Sequence, residues 1–358
     1  MRTALCEQLG IELPVIQAPM AGGITTPELV AAVSEAGALG SFGHAYTQPE
    51  AMQRDAEAVR SKSKAPFNVN LFAAKAIAQI DEAQQSAAIA AVAPYFEALG
   101  LKKPAPVRAP YAPDLSAQLA AIEAIRPAVF TFHLGDVDAR RLAGFQSLGI
   151  RVGGSATCVA EAKHLEALGV DFIIAQGGEA GGHRGTYLRD PAEAMTGTLA
   201  LVRLIVRAVQ KPVVAAGGIM DGAGIAAVLA LGAQAAQLGT AFVPCAESGA
   251  PAVHKRAILG LRDDDTLITD KFSGKPARGI VNRYIREMRD APTLEFPAQN
   301  TLTGPLRAAA AKAGNPDFPS LWAGQAGALA REMPAARLVA ALRDETLEAI
   351  ARLSGLNT

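Results

Sequence analysis

Short apolar, β-branched runs alternate along this chain with longer stretches rich in Ala, Leu and Glu. Eight runs stand out, at residues 14–18 (PVIQA), 39–42 (LGSF), 66–71 (PFNVNL), 128–134 (AVFTFHL), 150–155 (IRVGGS), 171–176 (DFIIAQ), 212–216 (PVVAA) and 236–241 (AQLGTA). Within them apolar residues follow one another rather than alternating with polar ones, the pattern of strands buried on both faces. Helical stretches follow, at residues 27–36 and 49–60 and again at 160–168, where Gly169 supplies a stop. Eight βα units in series predict a TIM (β/α)8 barrel; a doubly wound open sheet is the competing α/β arrangement, and the count of eight favours the barrel.

Two segments break the repeat. Residues 73–126 are too long for an ordinary βα connection and hold an Ala-rich helical stretch (77–99), then a Pro-rich one, KKPAPVRAPYAP (102–113). Residues 247–314 follow the eighth strand as a charged helix-and-loop excursion, read as a small lid domain beside the barrel mouth. The expected organisation is a barrel of residues 1–246 plus 315–358, with 247–314 as the excursion and a final barrel helix at 334–353.

Composition narrows the function classes. The 358 residues are 50% hydrophobic, ample for a large core, and 34 basic side chains balance 34 acidic ones, which argues against a nucleic-acid surface. Cys6, Cys158 and Cys245 lie far apart with no C-x-x-C spacing and read as reduced packing residues. The first residues lack a signal peptide's apolar stretch, and no run approaches a membrane span, so a soluble, cytoplasmic protein is expected.

In a barrel of this kind the chemistry sits at the C-terminal strand ends. Those ends carry Pro19-Met20-Ala21-Gly22 after strand one, Gly43-His44 after two, Asn70 on three, His133 on four, Ser155 on five and Gln176 on six. Gly217-Gly218 follow strand seven, and Gln237-Leu238-Gly239-Thr240 lie on strand eight. One glycine turn needs no more than a tight bend, but two, at the strands where barrels often hold phosphate, favour an anion cradle. His183 sits in a run with Gly177, Gly178, Gly181 and Gly182, entropically costly to order, and is a candidate for proton transfer or for stabilising an anionic substrate. His133 reads equally well as a satisfied core histidine or a catalytic one; His44 is a weaker candidate, and His164 and His254 read as bystanders. No metal-ligand spacing, nucleophile elbow or dinucleotide fingerprint is present.

Taken together, the motifs at 17–23 (QAPMAGG), 67–70 (FNVN), 176–185 (QGGEAGGHRG), 215–219 (AAGGI), 237–240 (QLGT) and 321–325 (LWAGQ) resemble the nitronate monooxygenase family along essentially the whole chain. The resemblance implies non-covalent FMN, with Pro19, Met20, Ala21 and Gly22 along its ring system and Asn70 and Gln176 at its polar atoms. Gly181, Gly217, Gly218, Gln237, Leu238, Gly239 and Thr240 would lie about its phosphate and neighbouring groups. It implies His183 as the base or orienting group and His133 in the substrate pocket, in the class with nitronate oxidase activity. The activity implied is oxidation of an alkyl nitronate, with propionate 3-nitronate as the natural substrate, by O2 to a carbonyl compound and nitrite, a detoxification role for a monomer or homodimer. Arg307 or Lys312 would meet a substrate carboxylate. The competing readings are an NAD(P)H-dependent flavin barrel of the enoyl-acyl-carrier-protein reductase or quinone reductase type, and a flavin-free sugar-phosphate or nucleotide barrel.

Overall fold

All eight apolar runs form parallel strands in the computed structural model, which describes residues 1–74 and 80–355. The strands are β1 (Val15–Gln17), β2 (Gly40–Gly43), β3 (Phe67–Phe72), β4 (Val129–His133), β5 (Arg151–Ala156), β6 (Phe172–Gln176), β8 (Val213–Ala216) and β9 (Ala235–Leu238), with a two-residue strand β7 (Gly182–His183) outside the barrel. They pair in the order β1-β9-β8-β6-β5-β4-β3-β2. A parallel bridge between Ile16 and Leu39, with Leu39 N–H donating to Val15 O and Gln17 N–H to Leu39 O, brings the two ends together. The result is a TIM barrel.

The expected eighth strand is shorter than its apolar run. It ends at Leu238, and Thr240–Phe242 turns into a 3₁₀ helix. Apolar character continues through this turn because Ala241 and Phe242 enter the main core, so composition alone could not mark the end of the strand.

One end of the barrel is filled by apolar side chains. Leu5, Cys6 and Leu9 of the helix Ala4–Leu9 join Ile16, Leu39, Val129, Phe172, Ile174 and Val214 in one buried cluster. Thr3 Oγ1 donates to Gln234 O, and Leu5 N–H to Gln234 Oε1, which pins that helix at the N-terminal strand ends. The opposite, C-terminal end is left for the site. Between sheet and outer helices lies the main core, to which the final helix Ala335–Ser354 contributes Leu338, Val339 and Leu342.

The two segments that break the repeat share a core. Ile89, Val92, Tyr95 and Phe96 of the helix Glu82–Ala98 pack with Phe272, Tyr284, Leu294, Leu302, Leu306 and Phe318. The first part of the expected helical stretch, 77–79, lies outside the described residues. Beyond the Pro-rich stretch comes a further helix, Leu115–Ile125, capped by the Asp114 carboxylate accepting from Ala117 N–H. The excursion after β9, expected as helix and loop, also contains a hairpin of β10 (Thr266–Thr269) and β11 (Ala277–Ile280). β11 continues this sheet onto β7, pairing Ala277 with His183 and Arg278 with Gly182. The hairpin was illegible in the pattern because its strands are four residues each and half polar. No helix among the described residues is long and apolar enough to cross a membrane.

Close packing at Gly40 gives a test of the barrel seam. A Cβ there would lie 2.2 Å from the backbone oxygen of Val30, on the helix Pro27–Glu35. Gly40→Ala is expected to destabilise the protein by about 1–3 kcal/mol, since neither backbone can yield cheaply. A lowered thermal midpoint checks it; an unchanged midpoint would show that β2 can shift away from its helix.

Candidate active site

A cavity of about 370 Å³ opens at the C-terminal strand ends. The sequence-predicted residues Pro19, Met20, Ala21, Gly22, Asn70, His133, Gln176, Gly181, His183, Gly217, Gly218, Gln237, Gly239 and Thr240 all line it. Leu238 does not; its side chain is buried in the main core, and its carbonyl accepts from Ala18 N–H.

The β8 and β9 ends form a donor-rich corner. Gly217 and Gly218 adopt φ of 116° and 69°, a left-handed turn that side chains rarely adopt. The amides of Gly218, Ile219 and Gly239 donate to no group among the described residues. Gln237 Oε1 is buried here and also has no partner among the described residues. Nothing within 4 Å would meet a Cβ on Gly22 or Gly23, so the backbone there borders open space. Free amides and small walls suit an anion and a flat polar molecule beside it. Thr240 Oγ1 accepts from Gly324 N–H, and a Cβ on Gly181 would lie 2.6 Å from Ala323 C, so both positions also dock the 321–325 segment.

The glycine-rich loop after β6 is held by buried charge. Arg184, fully buried, donates to Gly177 O (2.6 Å), Gln176 O, Gln176 Oε1 and Ala194 O. Burial, followed by the nearby Arg278 cation, pulls its pKa down to about 10, which leaves it charged at neutral pH. The buried Glu161 carboxylate accepts from Thr157 N–H and Oγ1 and from the amides of Tyr187 and Leu188. Gln176 accepts through Oε1 from Gly185 N–H (2.7 Å) and donates through Nε2 to His183 O (2.9 Å). Most of its amide is thus committed to the loop, leaving one N–H for the cavity. Removing any one of these groups would leave another buried and unpaired, the costlier half of the balance.

The two histidines meet in this loop. His133 Nε2 lies 3.2 Å from the carbonyl of His183, and His183 Nε2 lies 2.9 Å from Ser273 Oγ on the excursion. Phe72, Phe296 and Trp322 pack around the His183 ring at centroid distances of 5.5–5.8 Å. Burial above all, with the neighbouring histidine and the cations Lys275 and Arg307, brings the His183 pKa down to about 3. Burial likewise takes His133 down to about 4. Both rings are neutral at pH 7.

Among the remaining candidates, Arg307 lines the cavity, whereas Lys312 is exposed and does not. The Arg307 guanidinium donates to Thr303 Oγ1, Ser320 Oγ, Asn300 O and Asn300 Oδ1, all neutral oxygens, and pairs with no carboxylate among the described residues. His254, read from the sequence as a bystander, also lines the cavity, bonded through Nε2 to Trp322 O (2.9 Å). His44 is instead buried against Phe42 with Thr47 Oγ1 on its Nδ1, and His164 pairs with Asp136 at the surface. Sequence reasoning missed Tyr46, Phe72, Asn300, Ser320 and Trp322 in the lining. Tyr46 follows the β2 end by three residues and could have been read from that position; its buried hydroxyl has no partner among the described residues. No group of His, Cys, Asp or Glu that could hold a metal ion occurs among the described residues.

A strand-end cavity with free amides, neutral imidazoles and a guanidinium that has no carboxylate partner among the described residues is where a (β/α)8 enzyme carries its chemistry. Residues 2–345 match the family model for nitronate monooxygenase, and the chain belongs to that family. It is 43% identical over 357 residues to the nitronate monooxygenase of Paraburkholderia phytofirmans, covering 98% of this chain and 97% of that one. The crystal structure of a nitroalkane oxidase from Streptomyces ansochromogenes superposes with a TM-score of 0.91 at 40% identity, covering 98% of this chain and 100% of that chain. FabK from Thermotoga maritima is more distant, with a TM-score of 0.78 at 29% identity over 99% of both chains.

The neutral histidines set a pH dependence of stability. His44, His133, His183 and His254 all have pKa values brought down by burial, to about 4, 4, 3 and 4. Between the unfolded value near 6.5 and these folded values the native state binds fewer protons than the unfolded one. Stability is therefore fully present above about pH 6.5 and falls as pH drops towards 4. At pH 5, unfolding should take up about one proton for each of these four rings, and His254→Gln should remove about one proton from that slope. Denaturant midpoints measured from pH 7 to 5 check this; a flat profile would mean the rings are charged in the folded state.

Proposed function

We propose that this chain is an FMN-dependent enzyme that oxidises alkyl nitronates with O2 to a carbonyl compound and nitrite, acting on propionate 3-nitronate in a detoxification role. The observation that carries the reading is that one cavity is lined both by the free amides of Gly218, Ile219 and Gly239 and by the guanidinium of Arg307, which has no carboxylate partner among the described residues. Family membership supplies the reaction class.

FMN fits the donor set. Its phosphate suits the Gly218, Ile219 and Gly239 amides, and the unpartnered Gln237 Oε1 suits a ribityl hydroxyl. The segment 19–22 and Asn70 are available to its ring system. When bound, the flavin supplies the redox chemistry, and the protein supplies position and electrostatics. Arg307 and the unpartnered hydroxyl of Tyr46 hold the carboxylate of the substrate. His183 takes a proton from a neutral nitroalkane or orients the preformed nitronate, and His133 lines the substrate pocket beside it. Phe72, Phe296 and Trp322 exclude water around the His183 ring, which strengthens each of these interactions.

The purified protein is expected to be yellow and to release FMN on denaturation. Mixed anaerobically with propionate 3-nitronate, its visible absorbance should bleach, with no response to NADPH. Bleaching by NADPH alone would move the chain to a reductase reading, and colourless protein that binds no FMN would remove the flavin altogether.

Two substitutions sharpen the assignment. Arg307→Met should raise KM for a carboxylate-bearing nitronate by roughly tenfold or more, the loss of one charged hydrogen-bonding partner, while an uncharged alkyl nitronate is little affected. His183→Asn should lower turnover of a neutral nitroalkane more than that of its nitronate if the ring acts as base. Equal losses on both would leave it an orienting role.

A further inference from the structure

Ser273 lies in the β10–β11 hairpin, 90 residues beyond His183, and touches it through the 2.9 Å contact between Oγ and Nε2. The same hydroxyl oxygen is 3.0 Å from the carbonyl of Lys275 and 3.3 Å from its amide nitrogen. A serine hydroxyl has one hydrogen and can accept twice. A carbonyl only accepts, so the hydroxyl hydrogen goes to Lys275 O, and an amide only donates, so Lys275 N–H points at Oγ. The contact with His183 is then a hydrogen bond only if the imidazole is the donor. In the reverse arrangement, with the hydroxyl donating to the ring, Lys275 O loses a donor it has from no other group among the described residues.

We propose that Ser273 is a positioning residue that holds His183 as the Nε2–H tautomer and so makes Nδ1 the atom that meets the substrate. The inference rests on the nitronate reading for its chemistry, but its geometry is independent of that reading. Nδ1 of His183 makes no hydrogen bond among the described residues, and His183 is a lining residue of the cavity. The hairpin cannot drift from the ring, because Ala277 pairs with His183 and Arg184 N–H donates to Pro276 O (2.8 Å). Gly274, at φ 85°, closes the hairpin turn where a Cβ would lie 2.3 Å from Leu294 O, so the loop carrying Ser273 is tightly packed as well. His133 is fixed by the same logic: its Nε2 faces the His183 carbonyl, which can only accept. Both imidazoles are therefore Nε2–H donors into protein.

With a neutral nitroalkane the step is a plain proton transfer. The α C–H bond breaks, its proton forms a bond to Nδ1 of His183, and the electron pair left on carbon delocalises into the nitro group to give the nitronate. The imidazolium so formed keeps its Nε2–H on Ser273 Oγ, whose own hydrogen stays on Lys275 O. A preformed nitronate skips this step, so the tautomer matters less to it.

The test uses the holoenzyme with 15N-labelled histidine. In the wild-type protein at pH 7, NMR should place the His183 proton on Nε2 with Nδ1 bare, and Ser273→Ala should shift part of the population to Nδ1–H. In parallel, Ser273→Ala should lower kcat/KM for nitroethane by about tenfold or more, leave ethyl nitronate within about twofold, and be rescued by Ser273→Thr, which keeps the hydroxyl. A wild-type proton on Nδ1 overturns the proposal, as do equal losses on the two substrates. The wild-type spectrum needs no variant to fold. If the holoenzyme turns over neither substrate, the nitronate reading fails while the spectrum still decides the tautomer.

Discussion

The arrangement of the site depends on one short β-pairing, Gly182-His183 against Ala277-Arg278. A glycine-rich loop after a barrel strand has no reason to hold a single shape, because glycine gives up more backbone freedom on ordering than any other residue. Here the loop becomes the edge of a three-stranded sheet whose other strands come from the excursion. The pairing fixes the backbone of His183, draws Ser273 to its ring, and brings Phe296 and Trp322 around it. Arg278 extends the same fastening by donating through Nε and NH2 to Gly178 O.

Charge is distributed around that fastening in two ways. Glu161 and Arg184 are buried with nearly every hydrogen-bonding position used, on backbone groups of the loop and its neighbours. Their work is structural, since a satisfied buried charge resists any displacement that would leave it unpaired. The groups at the cavity are arranged the other way: neutral rings with open nitrogens, backbone amides with no acceptor, a guanidinium with only neutral oxygens around it. These are interactions left open towards the cavity: the amides and the guanidinium offer hydrogens to an acceptor, and the bare imidazole nitrogens offer a lone pair to a donor. The same enclosure that lowers the histidine pKa values strengthens every hydrogen bond made inside the cavity.

The second core has a comparable role at larger scale. Helix Glu82–Ala98 and the 272–318 segment bury Tyr95, Phe96, Phe272, Tyr284 and Phe318 together. Neither segment could cover so much aromatic surface alone, so their packing sets where helix Ala298–Lys312 lies and hence where Arg307 enters the cavity.

The sequence by itself determined the barrel, because strands buried on both faces leave continuous apolar runs and the units repeat eight times. It determined the strand-end candidates too, since every residue at the end of a parallel strand falls on one face once that topology is granted. Gly217, Gly218, Asn70, Gln176 and His133 were legible on that ground, and His183 by the glycines about it. Leu238 was drawn in by proximity, and the pleat turned it into the core. Only the tertiary structure decided what else stands at the cavity: Tyr46, Trp322 and Arg307 line it, Lys312 does not, and Ser273 reaches the ring of His183. Their contacts with the barrel end span long stretches of chain, and no periodicity encodes which hairpin oxygen will meet which imidazole nitrogen. That is set by strand register and aromatic packing between segments that are, in sequence, unrelated.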